Sequence, residues 1–583
     1  MKRAAYILIT ILSIMHIKAS GESLNIKIVE TSDVHGNFFP YNFITRQPWS
    51  GSLARAATYI DSLRKTDGNE SVILLDNGDF LQGQPTVYYY NFIDTVTPHI
   101  ASRIYDYLGY DAATIGNHDV ETGHEVYDRV IRTAPMPMLG ANIIDTASGN
   151  PYLKPYCIIE RQGVKIAVLG LITPAIPAWL PNTLWSGLRF DDMELTARKW
   201  MNEIKQTEKP NIVVGLFHSG HDVDKKTAEF IENASLSVAR NVPGFDVVMM
   251  GHDHRRYNSK LLNAAGDSVL VVNPANNANA VALANISIKF DDNGAISKSI
   301  TGKIVDISNI APDEKYLAHF SKQFDAVEKF VSRKIGSANG TFSTHDAFFG
   351  PSAFIDLIHN LQLEITGADI SMAAPLSFDA IISKGDICVS DMFNLYKYEN
   401  QLYTMELTGQ EIKDYLEESY GIWTRQMNSA DEHMLLFADE NPTPKRNALE
   451  NPSYSFDSAA GIDYTVDLTK PKGEKVTILQ MSDGKPFLPG KKYKVAINSY
   501  RGNGGGDLLT KGAGIPREQL KSRILASTDK DLRYYLMKTI ESKKVITPKV
   551  NGNWKFIPDD YVKKASARDR EILFPNQNAR NAK

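Results

Sequence analysis

Short apolar runs recur through the first half of the chain, and each is followed by a turn that contains glycine. Leu24 to Glu30 (LNIKIVE), Ser71 to Leu75, Ala112 to Ile115, Asn211 to Phe217 and Phe245 to Met250 are runs of this kind and predict strands. Between them lie stretches with helical spacing. In residues 51–66, Leu53 with Ala57, or Ala57 with Ile60 and Leu63, share one face, as in a helix that covers a sheet. Strands alternating with covering helices predict an α/β layered fold. In such folds ligands gather beyond the carboxyl ends of the strands, so the turns are where chemistry is expected.

Each of the five turns carries a side chain able to hold a metal ion. In Thr31-Ser32-Asp33-Val34-His35-Gly36-Asn37, Asp33 and His35 offer one hard oxygen and one imidazole, a pair that suits a first-row cation better than calcium. In Asp76-Asn77-Gly78-Asp79, the two oxygens of Asp79 can be shared between ions, while Asp76 reads as a turn carboxylate or one that orients another ligand. Asn117 in Gly116-Asn117-His118-Asp119 presents a neutral oxygen. The adjacent His118 points elsewhere, as a histidine acting on substrate would, or as a hydrogen-bonded turn histidine would. His218 ends the fourth run, with His221 beyond it as a surface residue. Gly251-His252-Asp253-His254 ends the fifth. Alternate residues of an extended chain point the same way, so His252 and His254 are expected to reach two neighbouring ions.

With 583 residues the chain has room for two or more domains. Its net charge of −4 carries no basic excess, which excludes holding a polynucleotide mainly through its phosphates. A small phosphorylated substrate, its charge met by metal ions, remains. Lys2 and Arg3, the apolar stretch Ala4 to Met15, and the small residues Ala19, Ser20 and Gly21 read as a signal peptide over residues 1–21. No later stretch is long and apolar enough to span a membrane. The expectation is an exported chain, periplasmic, in the cell envelope or secreted, without stable membrane insertion. Cys157 and Cys388, far apart in sequence, exclude a disulfide framework.

Past the turn Asp291-Asp292-Asn293-Gly294, the stretch Pro312 to Arg333 places Leu317, Phe320, Phe324, Val327 and Val331 at helical spacing and predicts a connecting helix. A second domain is expected to begin near Gly336. In it Leu402 to Gly409 reads as a strand, followed by a helix that Thr408 caps. Two aromatic residues stand near glycines, Phe456 before Ala460-Gly461 and Tyr500 before Gly502-Asn503-Gly504-Gly505-Gly506. The basic end past Asp559 reads as a surface tail.

Asp-x-His, Gly-Asp, Gly-Asn-His-Asp, His-Ser-Gly and Gly-His-x-His, in this order, resemble the calcineurin-like metallophosphoesterases. The segments SLARAATYI, DNGDFLQGQP, GANI and FHSG resemble their 5′-nucleotidase branch. The resemblance covers residues 24–510. It implies a four-layer α/β sandwich over residues 22–308, a linker helix over 309–336, a smaller α/β 5′-nucleotidase-type substrate-binding domain over 337–560, and a tail over 561–583. It also implies two divalent cations, from among Zn, Mn, Fe, Co and Mg. Asp33, His35 and His254 would hold one, Asn117, His218 and His252 the other, and Asp79 would bridge them.

In the same resemblance His118 stabilises the transition state or protonates the leaving oxygen. Glu121 stands where the family's Gly-Asn-His-Glu-Phe-Asp pattern has an aspartate partner for that histidine. Phe456 and Tyr500 would stack on the two faces of a nucleobase. The Asn-Gly-Gly-Gly-Ile-Arg of 5′-nucleotidases is replaced by ADISMAAPLSF at 368–378. This is more similar to the bacterial 2′,3′-cyclic-nucleotide 2′-phosphodiesterase/3′-nucleotidases. The implied reaction is hydrolysis of 2′,3′-cyclic and 3′-nucleotides to nucleoside and phosphate by a monomer or dimer. The alternatives are a 5′-nucleotidase or UDP-sugar hydrolase, and an inactive nucleotide- or metal-binding envelope protein.

Overall fold

The computed structural model describes residues 23–221, 231–290, 296–443 and 448–575. The signal peptide expected at 1–21 and the turn expected at Asp291-Asp292-Asn293-Gly294 lie outside the described residues. In the first half two six-stranded sheets face each other. The runs are conspicuous because their strands are buried on both faces. In Ser23–Thr31, Ile26 and Ile28 enter the core between the sheets and Val29 enters the core beneath the helices. Val72–Asp76 divides in the same way, Ile73 and Leu75 against Val72 and Leu74. In the second sheet Ile166 and Val168 face the first, whereas Ala167 and Leu169 pack with residues of the helices Met193–Thr207 and Ser235–Asn241. The result is a four-layer α/β sandwich.

The central strands of each sheet are parallel. Ser23–Thr31, Val72–Asp76, Ala112–Thr114 and Met138–Leu139 run together in one. Val164–Ile172, Ile212–His218, Val247–Met250 and Ser268–Pro274 run together in the other. All the loops with candidate ligands therefore leave from carboxyl ends.

The connecting segment forms two helices, Glu314–His319 and Ser321–Val331, with a break at Phe320. Tyr316, Phe320, Val327 and Val331 are buried in the core that also holds Leu53, Ala57 and Ile60 of the helix Leu53–Asp67. Beyond it lies a five-stranded sheet in which Lys492–Asn498 pairs with Gln401–Thr408 on one side and Ile370–Ala373 on the other. The helix Gly409–Trp423 starts where expected. Thr408 Oγ1 accepts from the Glu411 N–H at 3.2 Å, and the Glu411 carboxylate accepts from the Thr408 N–H at 2.7 Å.

The expected tail past Asp559 is a correction. Asp559–Leu573 is a helix whose Ala565, Ile572 and Leu573, with Phe574 after it, are buried in the core of the second half. Asp569, fully buried, accepts the N–H groups of Met434 and Leu435 at 2.8 and 3.0 Å. The lysines and arginines belong to its outer face and mask a narrow apolar stripe. Leu573→Ala is expected to lower the stability of the second half by about 2–4 kcal/mol, as large-to-small core changes do. A denaturant transition identical to that of the unaltered protein would return this segment to a tail.

Candidate active site

Five of the candidate ligands, Asp33, His35, Asp79, His252 and His254, have left-handed backbone, with φ between 50° and 75°. This corrects the expectation for the last pair. His252 and His254 do not point the same way along an extended strand. Each is turned individually, and the two imidazoles part toward different donor groups. Asp33, His35, Asp79 and His254 form one group and Asp79, His218 and His252 the other, with the ligand atoms in each within 4.8 Å of one another. Asp79 belongs to both. Asn117 joins the second group, its Oδ1 lying 3.2 Å from His218 Nε2 and 2.8 Å from His252 Nδ1.

The remote ring nitrogens are held in a way that aims the others inward. His35 Nδ1 lies 2.9 Å from the Gln82 carbonyl and His218 Nδ1 2.6 Å from the Asn77 carbonyl. Nδ1–H donation leaves Nε2 of each facing the centre. His252 is held the other way round, Nε2 at 3.1 Å from the Glu232 carboxylate and Nδ1 inward. His254 Nδ1 lies 2.9 Å from the Asn276 side-chain amide. Burial pulls His35 down to about 4, so it is neutral at pH 7 with a lone pair to give. Burial works against the carboxylate of Asp79, but His218 and His118 outweigh it and hold the group well below its usual range.

These residues fit divalent cations. Asp79 Oδ2 is buried and, among the described residues, meets only the ring edge of His218, Nε2 at 3.2 Å, without a well-formed hydrogen bond. His35 Nε2 and His254 Nε2 face each other at 3.1 Å, two ring nitrogens converging beside Asp33. Nitrogen with carboxylate and amide oxygen is a donor set of first-row ions.

Asn77 and Asp119, which the sequence reading passed over, build the frame. The buried Asn77 amide donates to the Glu30 carboxylate at 2.9 Å and to the carbonyls of Phe217 and Met249 at 3.0 and 3.3 Å. It accepts from Thr114 Oγ1 at 3.1 Å. The Asp119 carboxylate accepts four backbone N–H groups, those of Asp79, Phe80, Leu81 and Gly116, at 2.7–2.8 Å. Asp76 is a turn carboxylate, accepting from the Gly78 N–H, Tyr105 and Thr31. His221 is bonded to Asp253 and stands apart from both groups.

His118 is the second residue of the short helix Asn117–Val120. Its N–H donates to Asp79 Oδ1 at 2.8 Å, and its Nδ1 meets Glu121 Oε2 at 2.5 Å. The longer carboxylate therefore does reach the ring. Burial pulls His118 down, but Asp79 and Glu121 outweigh that and lift it to about 9.

The aromatic pair needs correction. Phe456 is fully buried and stacks on Trp423 with centroids 5.2 Å apart and the rings 3° from parallel. It is core. Tyr454, two residues earlier, is 38% exposed. Burial, then Arg501 and Glu232, act on its phenol. Burial, then Arg501, Tyr454 and Glu232, act on Tyr500. Tyr454 is thus the exposed ring of this stretch, and Tyr500 is half-buried, with the Arg501 guanidinium 5.5 Å from its centroid. The signal lay in Ser453-Tyr454-Ser455-Phe456, where a 3-10 turn at Ser453–Ser455 parts the two rings and only one carries a hydroxyl that favours water.

Two family models match the chain. Calcineurin-like phosphoesterase covers residues 26–256, and 5′-nucleotidase, C-terminal domain, covers 334–511. The chain is a calcineurin-like phosphoesterase with a 5′-nucleotidase C-terminal domain. This phosphoesterase is 26% identical over 628 residues to the 2′,3′-cyclic-nucleotide 2′-phosphodiesterase/3′-nucleotidase of Haemophilus influenzae, covering 96% of this chain and 92% of that one. It is 25% identical over 598 residues to the trifunctional nucleotide phosphoesterase protein YfkN of Bacillus subtilis. That alignment covers 93% of this chain but 39% of that longer protein. A putative 5′-nucleotidase from Staphylococcus aureus has the same fold, with a TM-score of 0.74 at 21% identity, over 91% of this chain and 99% of that one.

Gly78 and Gly116 bring the second and third ligand loops of the phosphoesterase domain backbone to backbone. A Cβ on Gly116 would lie 2.1 Å from Asp79 Oδ1 and 2.6 Å from His218 Cε1. Gly116→Ala is therefore expected to cut phosphate release roughly 100-fold by displacing both ligands, and to lower the unfolding midpoint as well, because the Asp79 backbone nitrogen at 2.6 Å must also move. Activity near that of the unaltered protein would show that Asp79 and His218 are not held by this contact.

Proposed function

We propose that this phosphoesterase is an exported nucleotide phosphohydrolase acting on 2′,3′-cyclic nucleotides and 3′-nucleotides, with nucleoside and phosphate as end products. The observation that carries the reading is the shared carboxylate of Asp79, with a donor group on either side and the His118–Glu121 pair beside it. Asp33, His35 and His254 would hold one cation, and Asn117, His218 and His252 the other. Two cations bound there supply polarisation of the phosphoryl oxygens and acidification of an attacking water.

The residues of the chain do the rest. Glu121 fixes the His118 ring through Nδ1 and leaves Nε2 for the substrate, to donate to a phosphoryl oxygen or to the leaving oxygen. Glu232, Gln82 and the Asn77 carbonyl keep the ligand rings in the tautomers that offer a lone pair. Tyr454 and Tyr500 take the nucleobase, whose π face makes the contact tolerant of base identity. Residues 368–378, without glycines or arginine, favour cyclic and 3′-phosphates over 5′-phosphates. So does the name of the Haemophilus relative, whose alignment runs almost the whole length of both chains. Among the described residues no helix is long and apolar enough to cross a membrane, and the leader at 1–21 supports export.

The test is phosphate release from 2′,3′-cyclic AMP, 3′-AMP, 5′-AMP and UDP-glucose, after metal stripping and readdition of Mn, Zn, Co or Mg. Turnover of the first two is expected, falling by about 100-fold or more in His118→Ala, the range of general acid–base catalysis. Preference for 5′-AMP would assign the other branch, and no metal-dependent turnover would remove the enzymatic reading.

The aromatic assignment has its own test. Tyr454→Ala is expected to raise KM by about 10-fold, the loss of roughly 1–3 kcal/mol of stacking, with the unfolding midpoint kept. Phe456→Ala is expected to destabilise the domain by about 3–5 kcal/mol. The reverse pattern would restore Phe456 to the base site.

A further inference from the structure

Trp179 lies in the loop after the strand Val164–Ile172, just past the turn Ile176–Ala178. Its indole stacks on the His252 imidazole, centroids 5.6 Å apart and rings 25° from parallel. His252 is thereby held on two sides, its Nε2 edge by Glu232 and one face by Trp179, while Nδ1 faces Asn117. A ring pinned on edge and face has little freedom to swing away from the donor group it completes.

The backbone of the same loop is gripped from the C-terminal domain. Asn503 Nδ2 donates to the Trp179 carbonyl at 3.3 Å, and Arg517 Nη1 donates to the Ala178 carbonyl at 3.4 Å. Both donors belong to one small unit. Arg517 also donates to the carbonyls of Asn503 and Gly504, at 3.1 and 3.4 Å, and pairs with Asp507 at 3.5 Å. Asn503, Gly504 and Asp507 are the turn that follows Tyr500, and the Gly505 N–H bonds back to the Tyr500 carbonyl at 2.9 Å. The turn that presents an aromatic ring to the base thus holds the backbone of the residue that covers His252.

We propose that Trp179 is a positioning residue that transmits the seating of the Tyr500 turn, and with it the occupancy of the base site, to the metal-facing ring of His252. The proposal rests on the reading of His252 as a cation ligand and Tyr500 as a base contact. A nucleoside between Tyr454 and Tyr500 orders the turn. Asn503 and Arg517 then fix the Trp179 loop, and the indole sets the imidazole plane. Substrates with a base would gain in kcat, where a bare phosphate ester would not.

The test uses the whole chain, stripped of metal and titrated with Co2+, with the cobalt d–d absorption followed directly. Trp179→Ala is expected to weaken one of the two cobalt equivalents by about 10–100-fold, the range for lost partners of metal ligands. Trp179→Phe, which keeps a ring over His252, restores most of the affinity. Adenosine added to the cobalt-loaded unaltered protein is expected to shift the absorption band. Asn503→Ala and Arg517→Ala bind cobalt normally but lose that shift.

The proposal is overturned if Trp179→Ala binds both equivalents as the unaltered protein does. It is equally overturned if the only effect is weaker adenosine binding, which would make Trp179 a wall of the base site. Failure of the functional reading looks different: an unaltered protein that binds cobalt but releases phosphate from no nucleotide. The cobalt affinity of Trp179→Ala decides the proposal in that case too.

Discussion

One buried amide joins the two sheets at the edge where all the candidate ligands emerge. Asn77 touches Glu30 and Thr114 in the first sheet and the carbonyls of Phe217 and Met249 in the second, and its own carbonyl fixes His218. Burial of a polar side chain is unfavourable unless its hydrogen bonds are made, and here they can be made only with the two sheets in one relative position. The separation of the two donor groups follows from that position. Asp119 performs the same task on a shorter scale, fixing the Asp79 loop to the Gly116 loop through four N–H groups. The site is rigid because its loops are cross-linked by buried polar groups.

Much of this was legible in the chain. Strands buried on both faces leave apolar runs, and the ligand types stand at their ends, so the layered fold and the seven candidate ligands could be named. What could not be read was conformation between neighbouring residues. His252 and His254 are two apart in sequence, but their left-handed backbones void the parity rule for extended chain. Tyr454 and Phe456 are also two apart, but Ser453–Ser455 is a 3-10 turn, so one ring is exposed and the other buried; Trp423, 33 residues before Phe456, is the partner that holds it in the core. The final helix was hidden for a related reason. Its buried stripe is narrow, and the charged residues around it dominate the composition. Asn77 was invisible as a keystone because its partners come from four strands dispersed over nearly 220 residues.

The joint between the two halves combines a fixed part and a set of lighter contacts. The connecting helices bury Tyr316, Phe320, Val327 and Val331 in the first core, so they move with that domain. From the first domain Tyr88 enters the core of the second, edge-on to Phe393 at 5.3 Å and with the Arg533 guanidinium 5.0 Å over its ring. The hydrogen bonds from Asn503 and Arg517 to the Trp179 loop add directional contacts at 3.3 and 3.4 Å.

The left-handed backbone of five candidate ligands has a further consequence. Outside glycine, asparagine, aspartate and histidine are the residues that tolerate this conformation best. They are also residues that offer oxygen or nitrogen to a cation. Tight turns at strand ends therefore recruit, for reasons of backbone geometry alone, the side chains a metal centre needs. A sandwich of this kind can acquire a new ligand by one substitution in such a turn, with the strain of the bend already accommodated by its surroundings. The loops of this domain are in that sense predisposed to metal chemistry before any selection for it.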